Sequence, residues 1–253
     1  MASKPLPTPP PALIRLQRAF PSCRGAWYRP RQRPSLLAAS RSTTVAAASS
    51  AEVPSKALKE WAPTCAAIAD GEQTILLRKG GIKEPMFKPE ARDFLLFKTS
   101  FHTEAELLKP AAARRYAAEV QFDPRAQPQL VFETAATVTG AWTSADPDHV
   151  LQLLNELHVW GPGFLEKRLR WRQKQPVTIL ELRAYRLHTP IALPAQDDYL
   201  GCFSWLDLGG CQQLPEHLAA AGVPALSDAV FEAKQQLCRR QLALLSDVQE
   251  LEF

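Results

Sequence analysis

The chain has 253 residues, 46% of them hydrophobic, which is sufficient for a packed core. No apolar run approaches the ~20 residues that a membrane-spanning helix needs. The five cysteines include no CxxC pair, which argues against a disulfide framework or a zinc site. The formal net charge of +4 is unevenly distributed along the chain. Eight Lys and Arg residues and no acidic residue precede Glu52, so residues 52–253 carry a net charge of 4 − 8 = −4. Net charge therefore gives no support to nucleic-acid binding by the part after residue 51.

Residues 1–51 have the composition of an organelle transit peptide, since they are rich in Arg and Ser and free of acidic residues. The proline-rich start disfavours the amphipathic helix of mitochondrial import, so the sequence predicts a disordered chloroplast leader, and a mitochondrial one with less support. A basic tail that stays attached is the alternative.

Residues 52–253 are predicted to form a single compact α+β domain, because strands and helices are mixed without regular alternation. We expect a mixed or antiparallel sheet flanked by helices. In the first half, the patterns predict these elements in order: a helix from Ser55 to about Ala69 that is kinked at Pro63 and buries Leu58, Trp61, Cys65 and Ile68; a stop at Asp70-Gly71; strands at 73–78 and 94–97; and a helical stretch from Thr103 through Ala118 that is broken at Pro110.

The second half begins with an extended segment, Gln129 to Trp142. It continues with a helix started by Asp146-Pro147, a short helix from Pro162 to near Trp171, and a strand at 177–187, in which Leu180, Leu182 and Ala184 face one way and Glu181, Arg183 and Tyr185 the other. Ser227-Asp228 is predicted to cap a C-terminal helix of about twenty residues, with Val230, Leu237, Leu244 and Val248 in the core.

The stretch ILLRKGGI at 75–82 joins a strand to two cations and two glycines. Arg78 and Lys79 leave an extended chain on opposite faces, so at most one of them points at a given site. Gly80 and Gly81 allow close backbone approach and expose amides to a carboxylate or phosphate. The stretch is either a strand end with a flexible turn or a binding site for an anionic ligand. It matches neither nucleotide-loop motif, GxxxxGK[ST] or GxGxxG.

A second candidate is FLEKRLRWRQK at 164–174, which follows Trp160. Basic residues interleaved with aromatic ones can contact phosphates and stack on a base, whereas a solvated basic helix is the alternative. The cations crowd around Trp171 and are Lys167, Arg168, Arg170, Arg172 and Lys174.

Catalytic candidates are weaker. The histidines show no metal-ligand spacing, and no GxSxG motif supports a serine hydrolase. Glu181 and Arg183 share one strand face, where they can form a cross-strand ion pair. An acid and a cation so placed are also found in metal-dependent nucleases, although arginine cannot act as a base. His102 and His158 are possible partners of Glu181.

Several segments in a characteristic order carry a family resemblance. They are KALKEWA at 56–62, ILLRKGGI at 75–82, FLLF at 94–97 followed by His102 and by the LLKP motif that contains Lys109, LHVW at 157–160, EKRLRW at 166–171, LELRAYRL at 180–187 and GCFSW at 201–205. Over residues 55 to 235, this order resembles the bacterial and plastid family known as domain of unknown function 1802, which implies no activity. IADGEQTILLRK at 68–79 also resembles the opening of ASCH domains, small barrels that bind RNA or modified nucleotides.

These observations leave three hypotheses. The first is a plastid protein that binds an anionic ligand or RNA through the Arg78/Lys79 turn and the basic helix near Trp171. The second is a metal-dependent, nuclease-like enzyme that uses Glu181. The third is an assembly factor whose C-terminal helix docks a protein. The sequence leaves the cofactor unknown and identifies no set of metal ligands.

Overall fold

The computed structural model of the protein describes residues 56–81, 85–100, 105–170, 175–208 and 222–252. The strands are β1 Lys56–Trp61, β2 Ile75–Arg78, β3 Asp93–Thr99, β4 Gln129–Ser144, β5 Val177–Pro194, β6 Trp205–Asp207, β7 Gly222–Pro224 and β8 Gln249–Glu250. The helices are α1 Ala62–Ala69, α2 Pro110–Arg115, α3 Ala117–Val120, α4 Pro147–Leu153, α5 Pro162–Phe164, which continues as a π-helical turn over Leu165–Leu169, and α6 Asp228–Leu242. Short 3₁₀ helices lie at Ala105–Leu107, Pro124–Ala126, Asn155–Leu157 and Asp197–Leu200.

The strands form one mixed sheet in the order β2-β5-β4-β3-β1-β6, with β7 paired to β5 and β8 to β4. β1 and β3 are parallel, with Ala57 opposite Leu95, and the other pairs are antiparallel. The expectation of an α+β fold with a mixed sheet flanked by helices is confirmed.

All six strands of the main order contribute side chains to the same buried cluster, which requires the sheet to be strongly curved. Its members include Leu58, Leu76, Phe94, Leu96, Ala136, Val138, Leu180, Leu182 and Trp205. Three strands separate β2 from β1 in the sheet, yet the Arg78 guanidinium of β2 donates to the Lys59 carbonyl of β1 over 3.1 Å. The curvature therefore brings β2 against β1 along a line that we call the seam.

The predicted helix over residues 55–69 is wrong in its first half, since residues 56–61 form β1. The alternation in KALKEW puts Leu58 into the interior cluster and turns Lys59 and Trp61 to the other face. Helix α1 begins at Ala62 with Pro63 in its first turn, a position that needs no backbone donor. The stop at Asp70-Gly71 is confirmed, and Gly71 has a φ of 72°, which favours glycine.

Most other elements agree with the sequence pattern. Strands β2 to β5 lie where they were expected, and Asp146 caps α4 by accepting from the His149 backbone N–H over 3.1 Å. Leu180, Leu182 and Ala184 of β5 all join the interior cluster, as their alternation predicts. Pro110 begins a helix, and the predicted start at Thr103 lies outside the described residues.

The C-terminal helix is shorter than predicted and buries different residues. It ends at Leu242, and its buried side chains are Phe231, Cys238 and Leu242. Val230 is 46% exposed because it lies one residue, about 100° of helical rotation, from Phe231, and Leu244 is 71% exposed beyond the helix end. Leu237 and Val248 pack against the core, as expected. The buried side of α6 thus packs on the chain's own core.

Among the helices of the described residues, none is both long and apolar enough to cross a membrane.

Candidate functional site

A cleft of about 380 Å³ lies at the seam, and side chains of β1, β2 and β3, the α5 turn and the loop before β6 line it. Its described lining contains five cationic side chains and one carboxylate, Glu60. The cations are Lys59, Arg78, Lys79, Arg125 and Arg168, and the aromatic residues are Trp61, Phe97, Trp160, Phe164 and Phe203. The cleft is therefore cationic and aromatic, although residues 52–253 carry a net negative charge.

Lys59 is the most buried cation in the cleft, since only 7% of the residue is exposed. Its Nζ donates to the Gly201 carbonyl over 2.7 Å and lies 3.7 Å from the centre of the Phe203 ring. Of the described carboxylates, none forms an ion pair with it. Burial lowers the pKa of Lys59 to about 8. Among the described residues, the Lys59 ammonium group thus has one carbonyl acceptor for its three N–H donors.

Arg168 is held by the π-helical turn that continues α5, which closes with a bond of 2.8 Å from the Arg170 N–H to the Leu165 carbonyl. Such turns often occur at functional sites. The turn puts the Arg168 guanidinium over the Trp61 ring, with Cζ 4.4 Å from the ring centre. Its Nε is buried and has no hydrogen-bond partner among the described residues. Arg168 therefore has donor capacity available in the cleft.

Arg78 holds the seam together. Its guanidinium donates to the Glu60 carboxylate over 2.8 Å and to the Ser204 hydroxyl over 3.0 Å, in addition to the Lys59 carbonyl. Glu60 also accepts from the Trp61 backbone N–H over 2.8 Å. Both oxygens of Glu60, the one carboxylate in the described lining, thus accept hydrogen bonds, and Arg78 is neutralised by it.

Lys79 lines the same cleft as Arg78, although the alternation of an extended chain predicts that at most one of the two points at a given site. Its Nζ donates to the Gln175 carbonyl over 2.7 Å, and burial lowers its pKa. Gly80 and Gly81 follow β2 and are not part of the cleft lining.

Trp160 is positioned by a short backbone pairing. It forms a β-bridge with Leu108, and the Gly161 N–H donates to the Leu107 carbonyl over 2.7 Å. A Cβ atom at residue 161 would lie 3.0 Å from the Leu108 carbonyl oxygen, which favours glycine there. Trp160 stacks on Phe164 with ring centres 4.1 Å apart and meets Trp61 edge-on at 5.3 Å. These rings form an aromatic wall beside Arg168.

Lys109 and His158 support this wall from outside the cleft. Lys109 Nζ donates to the backbone carbonyls of Asn155 and His158. His158 is 3% exposed, its Nε2 lies 2.9 Å from the Leu151 carbonyl oxygen, and its Nδ1 accepts from the Trp160 N–H. Burial lowers the pKa of His158 to about 4, so the ring is neutral at pH 7. The contacts of both residues are structural.

Arg170 and Arg183 also lie outside the cleft. Arg170 is exposed and pairs with Asp148 at 2.7 Å and with Glu166. Arg183 pairs with Asp228 and lies 4.6 Å from the centre of the Phe231 ring, next to α6.

Glu181 is 1% exposed and faces α6. Its Oε1 accepts from Thr139 at 2.8 Å, Gln235 at 2.7 Å and Arg239 at 3.0 Å, while Oε2 has no partner among the described residues. Glu181 and His158 share no hydrogen-bond partner. Within the described ranges, no group of three or more His, Cys, Asp or Glu side chains is placed to hold a metal ion.

Of the remaining candidates, His102, Trp171, Arg172 and Lys174 lie outside the described residues. The structure thus brings together Arg78, Lys79, Trp160 and Arg168, which the sequence singled out in two separate segments. Other lining residues were not predicted from the sequence, namely Lys59, Glu60 and Arg125 among the polar ones and Trp61, Phe97 and Phe203 among the aromatic ones. The period of two in KALKEW was a usable signal for Lys59, whereas Phe203 lies in the GCFSW motif, in which nothing indicates a binding role.

The model of the family described as domain of unknown function (DUF1802) matches residues 57–237. The chain therefore belongs to this family. No curated protein matches the chain. Among solved structures, the chain is similar to the crystal structure of an ASCH protein from Zymomonas mobilis, at 12% identity and a TM-score of 0.32, over 56% of this chain and 73% of that one.

Proposed function

We propose that the chain binds RNA, as an anionic ligand, through the cleft at the seam. The observation that carries this proposal is the excess of cations. In the described part of the lining, five cations surround one carboxylate, which is already paired with Arg78. Lys59 and Arg168 are partly desolvated and lack a described carboxylate partner, so a bound phosphate would supply the missing charge and acceptors.

The aromatic side chains favour a nucleic acid over a simple anion. Phe203 is 42% exposed at the cleft, beside the exposed Arg125. Stacking of a base on an aromatic ring contributes about 1–3 kcal/mol, and it suits strands whose bases are unpaired. We also propose that the protein acts in the chloroplast, on the basis of the composition of residues 1–51.

The salt dependence of RNA binding tests the proposal when two arginines are compared. We expect the affinity for a single-stranded RNA to fall steeply as salt rises, because bound counterions are released from phosphates. Arg168→Gln should weaken binding roughly tenfold and reduce the slope of log K against log salt by about 0.7, the contribution of one phosphate contact. Fluorescence anisotropy at several salt concentrations measures both quantities.

Arg170→Gln is the matched control, since Arg170 lies two residues away on an exposed site and is paired with carboxylates. It should leave both the affinity and the slope nearly unchanged. Equal effects of the two substitutions would contradict a site in the cleft.

A further inference from the structure

We infer that the cleft recognises a phosphomonoester attached to a nucleotide, rather than an internal phosphodiester of a strand. This inference rests on the proposed function and states which part of the ligand enters the cleft. A phosphomonoester of this kind is present at the phosphorylated end of an RNA and in a free nucleoside monophosphate.

The first support is the charge balance. Lys59 is buried and Arg168 is half-buried with a buried Nε, and neither forms an ion pair with a described carboxylate. A phosphodiester carries one negative charge and would leave one of these cations uncompensated. A phosphomonoester carries about −1.5 to −2 at pH 7 and three acceptor oxygens, so it can neutralise both.

The second support is the spacing of the two cations. Lys59 and Trp61 are two residues apart on β1 and point to the same face, roughly 6–7 Å apart along the strand. The Arg168 guanidinium lies directly over Trp61. The two cationic side chains therefore belong to neighbouring positions on one face of β1, and the inference places the phosphate between them.

The third support is the size and depth of the cleft. Its volume of about 380 Å³ is near the lower end of the roughly 300–1,000 Å³ typical of small-molecule pockets. Lys59 is 93% buried, whereas Phe203 and Arg125 are exposed. A phosphate at Lys59 with its base near Phe203 accounts for a buried charge site beside an exposed aromatic ring. A strand that continued in both directions would have to leave from the buried end as well.

The two ionisations limit the pH range of binding. The titratable and charged groups around Lys59 are Glu60 and Arg78 at the seam, Arg125 on the 3₁₀ helix and the Cys202 thiol on the loop, with Lys79 and Arg168 on the remaining walls. Lys59 loses its proton as the pH rises through about 8. The phosphomonoester gains its second charge above about pH 6. Affinity for the monoester is thus greatest between these values and falls on both sides.

The experiment compares one short RNA sequence in three forms, with a 5′-phosphate, with a 3′-phosphate and with hydroxyls at both ends, alongside the nucleoside monophosphate. Calorimetry on the full chain measures each affinity. One phosphorylated form should bind roughly tenfold or more tightly than the hydroxyl form, the effect of an added charge-assisted contact. If one base and one phosphate are sufficient for recognition, the monophosphate should compete with the phosphorylated RNA. If the phosphorylated RNA binds and the monophosphate does not, the ligand is the end of an RNA strand.

Equal affinity of all three RNA forms would overturn this inference and leave RNA binding intact. Failure of every RNA form and of the monophosphate to bind would overturn the proposed function itself. Lys59→Met should abolish the preference for the phosphorylated end, and Lys56→Met, at the half-buried start of the same strand, should retain it.

Discussion

Replacing Arg78 by leucine is expected to lower the free energy of unfolding by about 3 kcal/mol, because it leaves the Glu60 carboxylate buried without its cation. The Glu60 side chain is 7% exposed and that of Arg78 19%, so solvent screens this pair much less than a surface one. Arg78 also joins β2 to the Lys59 carbonyl and the Ser204 hydroxyl across the seam. Denaturation in urea, followed by circular dichroism, measures the change.

Lys79→Leu is the matched control for this prediction, since Lys79 is the next residue and donates to the Gln175 carbonyl rather than to a buried carboxylate. It should cost less than about 1 kcal/mol of stability. The double variant Glu60→Gln with Arg78→Leu should be less destabilised than the sum of the single changes, because each removes the same pair. Equal, small effects of the Arg78 and Lys79 substitutions would contradict the role of Arg78 in the seam.

Replacing Lys59 by methionine is expected to have opposite effects on stability and binding. Methionine fills a similar volume without a buried charge, so the free energy of unfolding should rise by about 1–2 kcal/mol at pH 7. RNA affinity should fall by roughly tenfold or more, because the ligand loses a desolvated cation. A gain in stability with a loss of binding is typical of a residue kept for function.

The pH dependence of this stability difference has a definite sign. The pKa of Lys59 is lowered to about 8 in the folded chain, from the usual 10.5. Between these values the unfolded chain binds a proton that the folded chain does not, so the stability of the wild type rises with pH. The stability advantage of Lys59→Met should therefore be greatest below pH 8 and shrink between pH 8 and 10.5.

Lys56→Met is the control for these effects, since Lys56 lies on the same strand but pairs with Glu90 and Asp207. It should change neither stability nor affinity by more than a few tenths of a kcal/mol. A Lys59→Met variant that is both less stable and unchanged in RNA affinity would show that Lys59 only pins the loop at Gly201.

Much of the fold follows from local signals in the sequence. The extended character of 129–142, the alternation in β5 and the Asp-Pro start of α4 predict these elements because the signals lie within each segment. β1 was mistaken for a helix, since its apolar residues also fit a helical spacing with Cys65 and Ile68. The pairing of β1 with β3 stabilises residues 56–61 as a strand, and that pairing joins segments that are distant in sequence.

The site was predictable only in part, for the same reason. The clusters around Arg78 and Arg168 stand out in sequence as cations beside aromatic residues. That they meet in one cleft depends on the curvature of the sheet, which no single segment encodes. Phe203 lies in a loop, and only the structure shows that it covers Lys59.

The location of bound RNA tests the central claim most directly, and ultraviolet cross-linking followed by mass spectrometry measures it. We predict that cross-linked nucleotides map to the β1 segment at Lys59 and Trp61 or to the loop at Cys202 and Phe203. The adducts should disappear in Lys59→Met and persist in Lys56→Met. Adducts confined to other surfaces, such as the exposed side of α6 or the region of Arg170, would contradict the assignment of the cleft as the binding site.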